Sequence, residues 1–234
     1  MEQNIDPKAA LPALSKTRLS LPLMWLPIHF FVLPPLLRLF GEFYPKVANA
    51  QNSALMQMAL SCAFLVFIQF GYLRADFNSL LDRKLKTVLA MISGYMLCLV
   101  LSFFCGIASL LFPPWVQDVL DTLARQTTMP GQRGAFALFV VLTPLFDGMI
   151  FRGCVFGSLR KHSRLLAYIL SVLLCAAAAV LPLAMTRQDM VLLVLFLYAL
   201  PSAIALCWCY DSSGSLWASI FLNMLIATSS LGGA

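Results

Sequence analysis

Few residues in this chain could take part in chemistry while sitting in an apolar run. Asp147 is the one acidic residue inside any long uncharged stretch, and Arg152 follows five positions later. Asn223 lies in the last such stretch, His29 in the first beside Phe30 and Phe31, and His162 in a basic segment. Charged groups are costly in lipid, so the functional reading is a polar cavity centred on Asp147. A carboxylate there can act as general base, and a guanidinium or amide can stabilise developing charge. The bland readings stand beside it: a structural Asp147–Arg152 ion pair, Arg152 snorkelling to the membrane edge, and Asn223 as an interhelical hydrogen bond. On a regular α-helix five positions turn about 140°, so Asp147 and Arg152 do not stack on one face. Two histidines and one buried carboxylate on separate elements do not make a zinc set. The seven cysteines, at 62, 98, 105, 154, 175, 207 and 209, all fall in apolar runs without CxxC spacing. They read as small packing residues, and no metal or cofactor is expected. GxSxG, HExxH and phosphate-loop patterns are absent from the sequence.

The elements that must carry these residues are set by the spacing of charge. Of 234 residues 61% are hydrophobic and 11% charged, against roughly half and a quarter in soluble domains. Uncharged runs cover 19–37, 47–73, 87–117, 165–186, 190–210 and 212–234, and between Arg133 and Arg152 only Asp147 is charged. About 20 apolar residues cross a bilayer core as a helix, so an all-α integral membrane protein of about seven transmembrane helices is expected. Lys8, Lys16, Arg18, Arg74, Arg83, Lys84, Lys86, Arg160, Lys161 and Arg164 would lie on one side, against Lys46, Arg125, Arg133 and Arg187 on the other. The positive-inside rule then puts the N-terminus in the cytoplasm and the C-terminus outside. The net charge of +6 reads as this bias plus contact with anionic lipid headgroups, and nothing points to nucleic acid. No cleavable signal peptide is expected, because the first apolar run has the length of a span.

Along the chain the spans fall at about 19–40, 52–73, 87–112, 134–157, 165–185, 190–210 and 215–231. Pro22, Pro27, Pro34 and Pro35 predict a kinked or split first span. Residues 74–86 suit a short helix on the cytoplasmic surface. The connection 115–133 begins with an interfacial helix over 115–126 and ends in a Pro-Gly turn at 130–131. The whole of 1–234 reads as one membrane domain: a polar tail at 1–18, three accessory spans with loops at 19–133, and a four-helix core at 134–231.

The run TPLFDGMIFRGCVFGSLRK at 143–161 resembles the signature helix of the CAAX-protease and bacteriocin-processing (abortive-infection) family of intramembrane endopeptidases. That signature has Pro, two residues, Glu-Glu, and then Phe-Arg-Gly, and Pro144, Phe151, Arg152 and Gly153 match it in register. ILSVLLCAAAAVL at 169–181 resembles the second motif helix, with its Phe and, four later, His. SGSLWASIFLNMLIA at 213–227 resembles the last, where Gly-Ser-Leu-Trp leads to His and then Asn. The resemblance implies a CAAX-protease-like four-helix core at the C-terminal end of the chain.

The same resemblance exposes departures. In active members a glutamate activates water, and histidines and an asparagine assist. Here the glutamate positions are Asp147 and Gly148, the motif-two Phe and His are Cys175 and Ala179, and the last His and Asn are Asn223 and Ala227. Arg152 alone of the polar set is retained. A carboxylate misplaced by about 1 Å can cost about 100-fold, and each lost acid–base or oxyanion group a further 10²–10³, roughly. No catalytic residue is therefore expected, with Asp147 the residual candidate and Asp147, Arg152 and Asn223 forming a pocket. The expected role is a catalytically inactive scaffold or regulator of a membrane-protein or cell-wall-enzyme partner in a bacterial plasma membrane. The alternatives are an endopeptidase with an altered site using Asp147, a bacteriocin self-immunity protein, and a lipid- or solute-handling protein. Because Arg152 would neutralise Asp147 or anchor its span, Arg152→Leu is expected to harm folding more than Asn223→Ala.

Overall fold

The computed structural model describes residues 16–44, 50–116, 118–119, 133–184 and 190–232, and among these the ordered elements are all helical. The first span is split as its prolines predict. α1 (Lys16–Pro27) passes through a π-helical turn, Ile28–Val32, into α2 (Leu33–Phe43), whose first turn holds Pro34 and Pro35. A proline lacks the amide hydrogen that a regular ladder needs, and a widened turn absorbs the mismatch.

α3 (Ala50–Asp82) and α4 (Lys84–Ser109) follow, broken only at Arg83. The expected separate surface helix over 74–86 is therefore corrected: residues 74–82 are the end of a 33-residue helix, about 50 Å long. The reason lies in Asp76, which is buried by tertiary contact and not spread on a membrane surface. α5 (Arg133–Asp147) runs into a second π-helical segment, Gly148–Phe156, then α6 (Arg164–Ala184), α7 (Met190–Ser213) and α8 (Leu216–Gly232). The expected turn at 130–131, and most of the helix over 115–126, lie outside the described residues.

Six helices among the described residues are long and apolar enough to cross a membrane. The seventh expected span corresponds to α8, whose apolar stretch Leu216–Ser229 is shorter. It starts at Leu216, close to the expected 215, after Gly214 at φ +73° turns the chain between α7 and α8. Large apolar side chains such as Phe67, Leu89, Phe103, Leu111 and Leu165 are exposed. That is the surface expected of helices solvated by lipid, where nothing drives apolar groups inward. The chain is an all-helical, multi-pass membrane protein.

The span formed by α5 and the second π segment is the central one: 67% of it is buried, against 17–39% for the other five. Around it a main core gathers Leu65, Phe146, Ile150, Phe156, Leu216 and Ile220. A smaller cluster of Ala90, Leu206, Cys209 and Leu222 joins α4, α7 and α8. Gly94 permits that close approach, since a Cβ there would meet Leu222 Cδ2 at 2.7 Å.

Candidate functional site

The signature residues lie on or beside the second π segment. Its i→i+5 hydrogen bonding, seen where the Gly157 amide donates to the Arg152 carbonyl, widens the turn. Residues five apart are thereby brought nearer one face, and the 140° separation of Asp147 and Arg152 expected from a regular helix does not hold. All residues from Gly148 to Phe156 are buried. The Phe151 carbonyl accepts a hydrogen bond from Ser171 Oγ at 2.8 Å, which fixes α6 against the segment.

Arg152 is 1% exposed. Its Nη2 donates to Cys175 Sγ at 3.6 Å, and its Nε has no hydrogen-bond partner. Asp211 pairs with Arg160 and Arg164, whereas no ion pair within 4.0 Å joins Asp147 to Arg152. Asp147 is half-buried, as are Cys175, Asn223 and Ala227, whereas Ala179 is exposed. Thr143, one turn before Asp147, has a buried hydroxyl without a partner.

Gly148 stands where the resemblance implies a second glutamate. A Cβ built there lies 2.5 Å from Ile220 Cγ1 and 3.2 Å from its Cδ1. The room that a side chain at 148 would need is filled by Ile220, one turn before Asn223 on α8. The geometry thus joins Arg152 to Cys175, and Gly148 to α8.

Two buried carboxylates escaped the sequence reading, which counted Asp147 as the sole acidic residue inside a span. Asp76, 1% exposed near the end of α3, accepts from Ser215 Oγ at 2.9 Å and from the amides of Leu216 and Trp217 at 2.8 and 3.2 Å. It caps the N-terminus of α8, while Trp217 Nε1 donates to the Leu73 carbonyl at 2.9 Å. Asp211, at the end of α7, accepts from Arg164 Nε at 2.8 Å and pairs with Arg160 at 2.8 Å; Tyr168 also donates to it, at 3.2 Å. Asp76 sits beside the basic residues of 74–86, a sequence signal that reads equally well as a membrane edge, while the partners of Asp211 lie about 50 residues earlier in the chain.

His29 is buried in the first π turn, with Nδ1 2.7 Å from Ser61 Oγ and its ring centroid 4.4 Å from that of Phe146. The Gln57 amide donates to the His29 carbonyl at 2.7 Å. These contacts pin the split span to α3. His162 is exposed in the turn before α6. Among the described residues no group of three or more His, Cys, Asp or Glu side chains could hold a metal ion.

Pro144, the buried Phe151–Arg152–Gly153 run and the capped Gly-Ser-Leu-Trp turn thus occur in order within one four-helix packing. Residues 130–229 match the Rce1-like type II CAAX prenyl endopeptidase family. The match bears out the resemblance read from the three motifs. No curated protein and no solved structure matches the chain. Within the Rce1-like segment, Asp76 now explains the Gly-Ser-Leu-Trp piece in physical terms. Gly214 supplies the left-handed turn, Ser215 is the cap residue, and the Leu216 and Trp217 amides face a carboxylate from outside the segment.

Proposed function

We propose that this CAAX-protease-like membrane protein acts without catalysis, as a scaffold or regulator for a membrane or cell-wall partner. The observation that carries the reading is the packing at Gly148. A glutamate at this position has no room while Ile220 is in place. Of the other motif positions Asp147 alone keeps a carboxylate, one methylene shorter, and Cys175, Ala179 and Ala227 stand where the family resemblance implies phenylalanine, histidine and asparagine. Arg152 contacts the Cys175 thiol, and no carboxylate pairs with it within 4.0 Å. A bacterial plasma membrane is the proposed setting.

One observation favours a second reading, an endopeptidase with an altered site: Asp147 is half-buried and held in no ion pair. The deciding experiment is recovery of the tagged protein from its native membrane in mild detergent, with identification of co-purifying proteins. A stoichiometric partner retained with Asp147→Ala supports the scaffold. Truncated peptides that vanish in the Asp147→Ala strain would establish the enzyme instead.

A further inference from the structure

We propose that the outer face shared by α3 and α8 binds an anionic phospholipid of the cytoplasmic leaflet, its phosphate at Arg74 and one acyl chain along an aromatic strip. The inference holds whether or not Asp147 is catalytic. Phe70, Arg74, Phe77 and Leu81 recur at steps of four, three and four residues, which places them on one face of α3. All four are exposed, Phe70 at 60% and Phe77 at 40%. Tyr72, Leu73 and Asp76, between them in sequence, are turned inward and buried. α8 continues the strip. Phe77 meets Trp217 edge to face with ring centroids 5.7 Å apart, and Trp217 in turn meets the exposed Phe221 at 5.7 Å. The indole N–H of Trp217 donates to the Leu73 carbonyl at 2.9 Å, which fixes the middle ring in place.

A lipid fits this strip better than a second helix. Helices that pack together in a membrane present small residues so that their backbones approach closely, whereas this face is built of phenylalanine and tryptophan. A flexible acyl chain can follow such rings. The order of groups also matches a lipid. Arg74 and Trp217 lie at the basic end of the bundle, and Phe70 and Phe221 each lie one turn further into the span. Headgroup and chain follow one another in that direction. Arg74 lacks a carboxylate of its own among the described residues. Asp76 is taken up by the start of α8, and Asp211 by Arg160 and Arg164. Asp82, the exposed acid of α3, is eight positions further along, about 12 Å. The exposed guanidinium is therefore free to take a phosphate.

The test reads the fluorescence of Trp217 in the full chain, with Trp25, Trp115 and Trp208 replaced by phenylalanine. The protein is placed in phosphatidylcholine vesicles holding a small fraction of lipid with brominated acyl chains, which quench an indole on contact. Brominated phosphatidylglycerol quenches Trp217 as though enriched about fivefold over brominated phosphatidylcholine, the factor that about 1 kcal/mol from one surface cation supplies. Arg74→Gln lowers the enrichment to the phosphatidylcholine level, and Lys161→Gln, at the same end of the bundle, leaves it. Equal quenching by the two lipids overturns the proposal. So does an enrichment that survives Arg74→Gln, or one that Lys161→Gln removes as fully, which would assign it to general surface charge. A Trp217 that neither lipid quenches means that a protein covers the strip, and that result overturns the proposal as well. Should Arg74→Gln fail to fold, the same comparison read at Trp115 alone, exposed at the opposite end, decides. Enrichment at Trp217 only supports the site, and equal enrichment at both overturns it.

Discussion

A desolvated guanidinium normally costs several kcal/mol, and removing it is often neutral or stabilising when an apolar residue of similar shape takes its place. Arg152, with only a thiol acceptor, is in that position. No direct ion pair joins it to Asp147 within 4.0 Å, so its cost of burial is only partly offset. Arg152→Met is expected to unfold at the same temperature as the native chain or higher, measured in detergent; a clear drop would mean that the charge is compensated after all. At Gly148 the expectation has the opposite sign. Gly148→Ala places a methyl 2.5 Å from Ile220 and should cost about 1–3 kcal/mol. Ile220→Ala in the same chain should recover part of that, a coupling readable from a double-mutant cycle. The identities of Asp147, Arg152 and Asn223 were legible in the sequence, because polar groups stand out in apolar runs. The Ile220 contact was not, since one apolar residue in an apolar helix carries no mark of what it fills.

Helices α3 and α8 are joined by a carboxylate that works only because both ends are buried. Asp76 receives three donors from the start of α8, two of them amides that a helix cannot satisfy internally. Asp76→Ala should cost about 1–3 kcal/mol, and Asp76→Asn less, since its carbonyl oxygen can still accept. Chemical denaturation of the two variants checks the order; equal losses would assign the effect to charge alone. Charge spacing located most helices to within a few residues, yet misread residues 74–86. A carboxylate among lysines and arginines marks a membrane edge and a helix cap alike, and only packing separates the two. The π segments were equally hidden. Pro34, Pro35 and Pro144 announce a disturbed ladder, but an i→i+5 turn has no residue pattern of its own.

At the scale of the molecule, the ends of α3 and α7 and the starts of α4, α6 and α8 meet around Asp76, Asp211 and the basic residues. The positive-inside rule assigns that end to the cytoplasm. A single cysteine introduced at Lys161, in a background with the seven native cysteines removed, should react with impermeant thiol reagents only from the cytoplasmic side. Labelling from outside would invert the topology. Asp211→Asn should loosen this end by about 1–3 kcal/mol, because a buried carboxylate that accepts from Arg164 and Tyr168 and pairs with Arg160 is lost. Truncating Arg164 alone should change little, its side chain being 73% exposed.

The contact between Gly148 and Ile220 also bears on history. With no side chain at 148, α8 packs inward and Ile220 occupies the ground a side chain there would need. Adding an acid at 148 by itself would be selected against at once, as would shortening Ile220 by itself, since each step alone leaves a clash or a hole. Packing of this kind works as a ratchet: a side chain at 148 and a smaller residue at 220 must arrive together, and drift seldom supplies both.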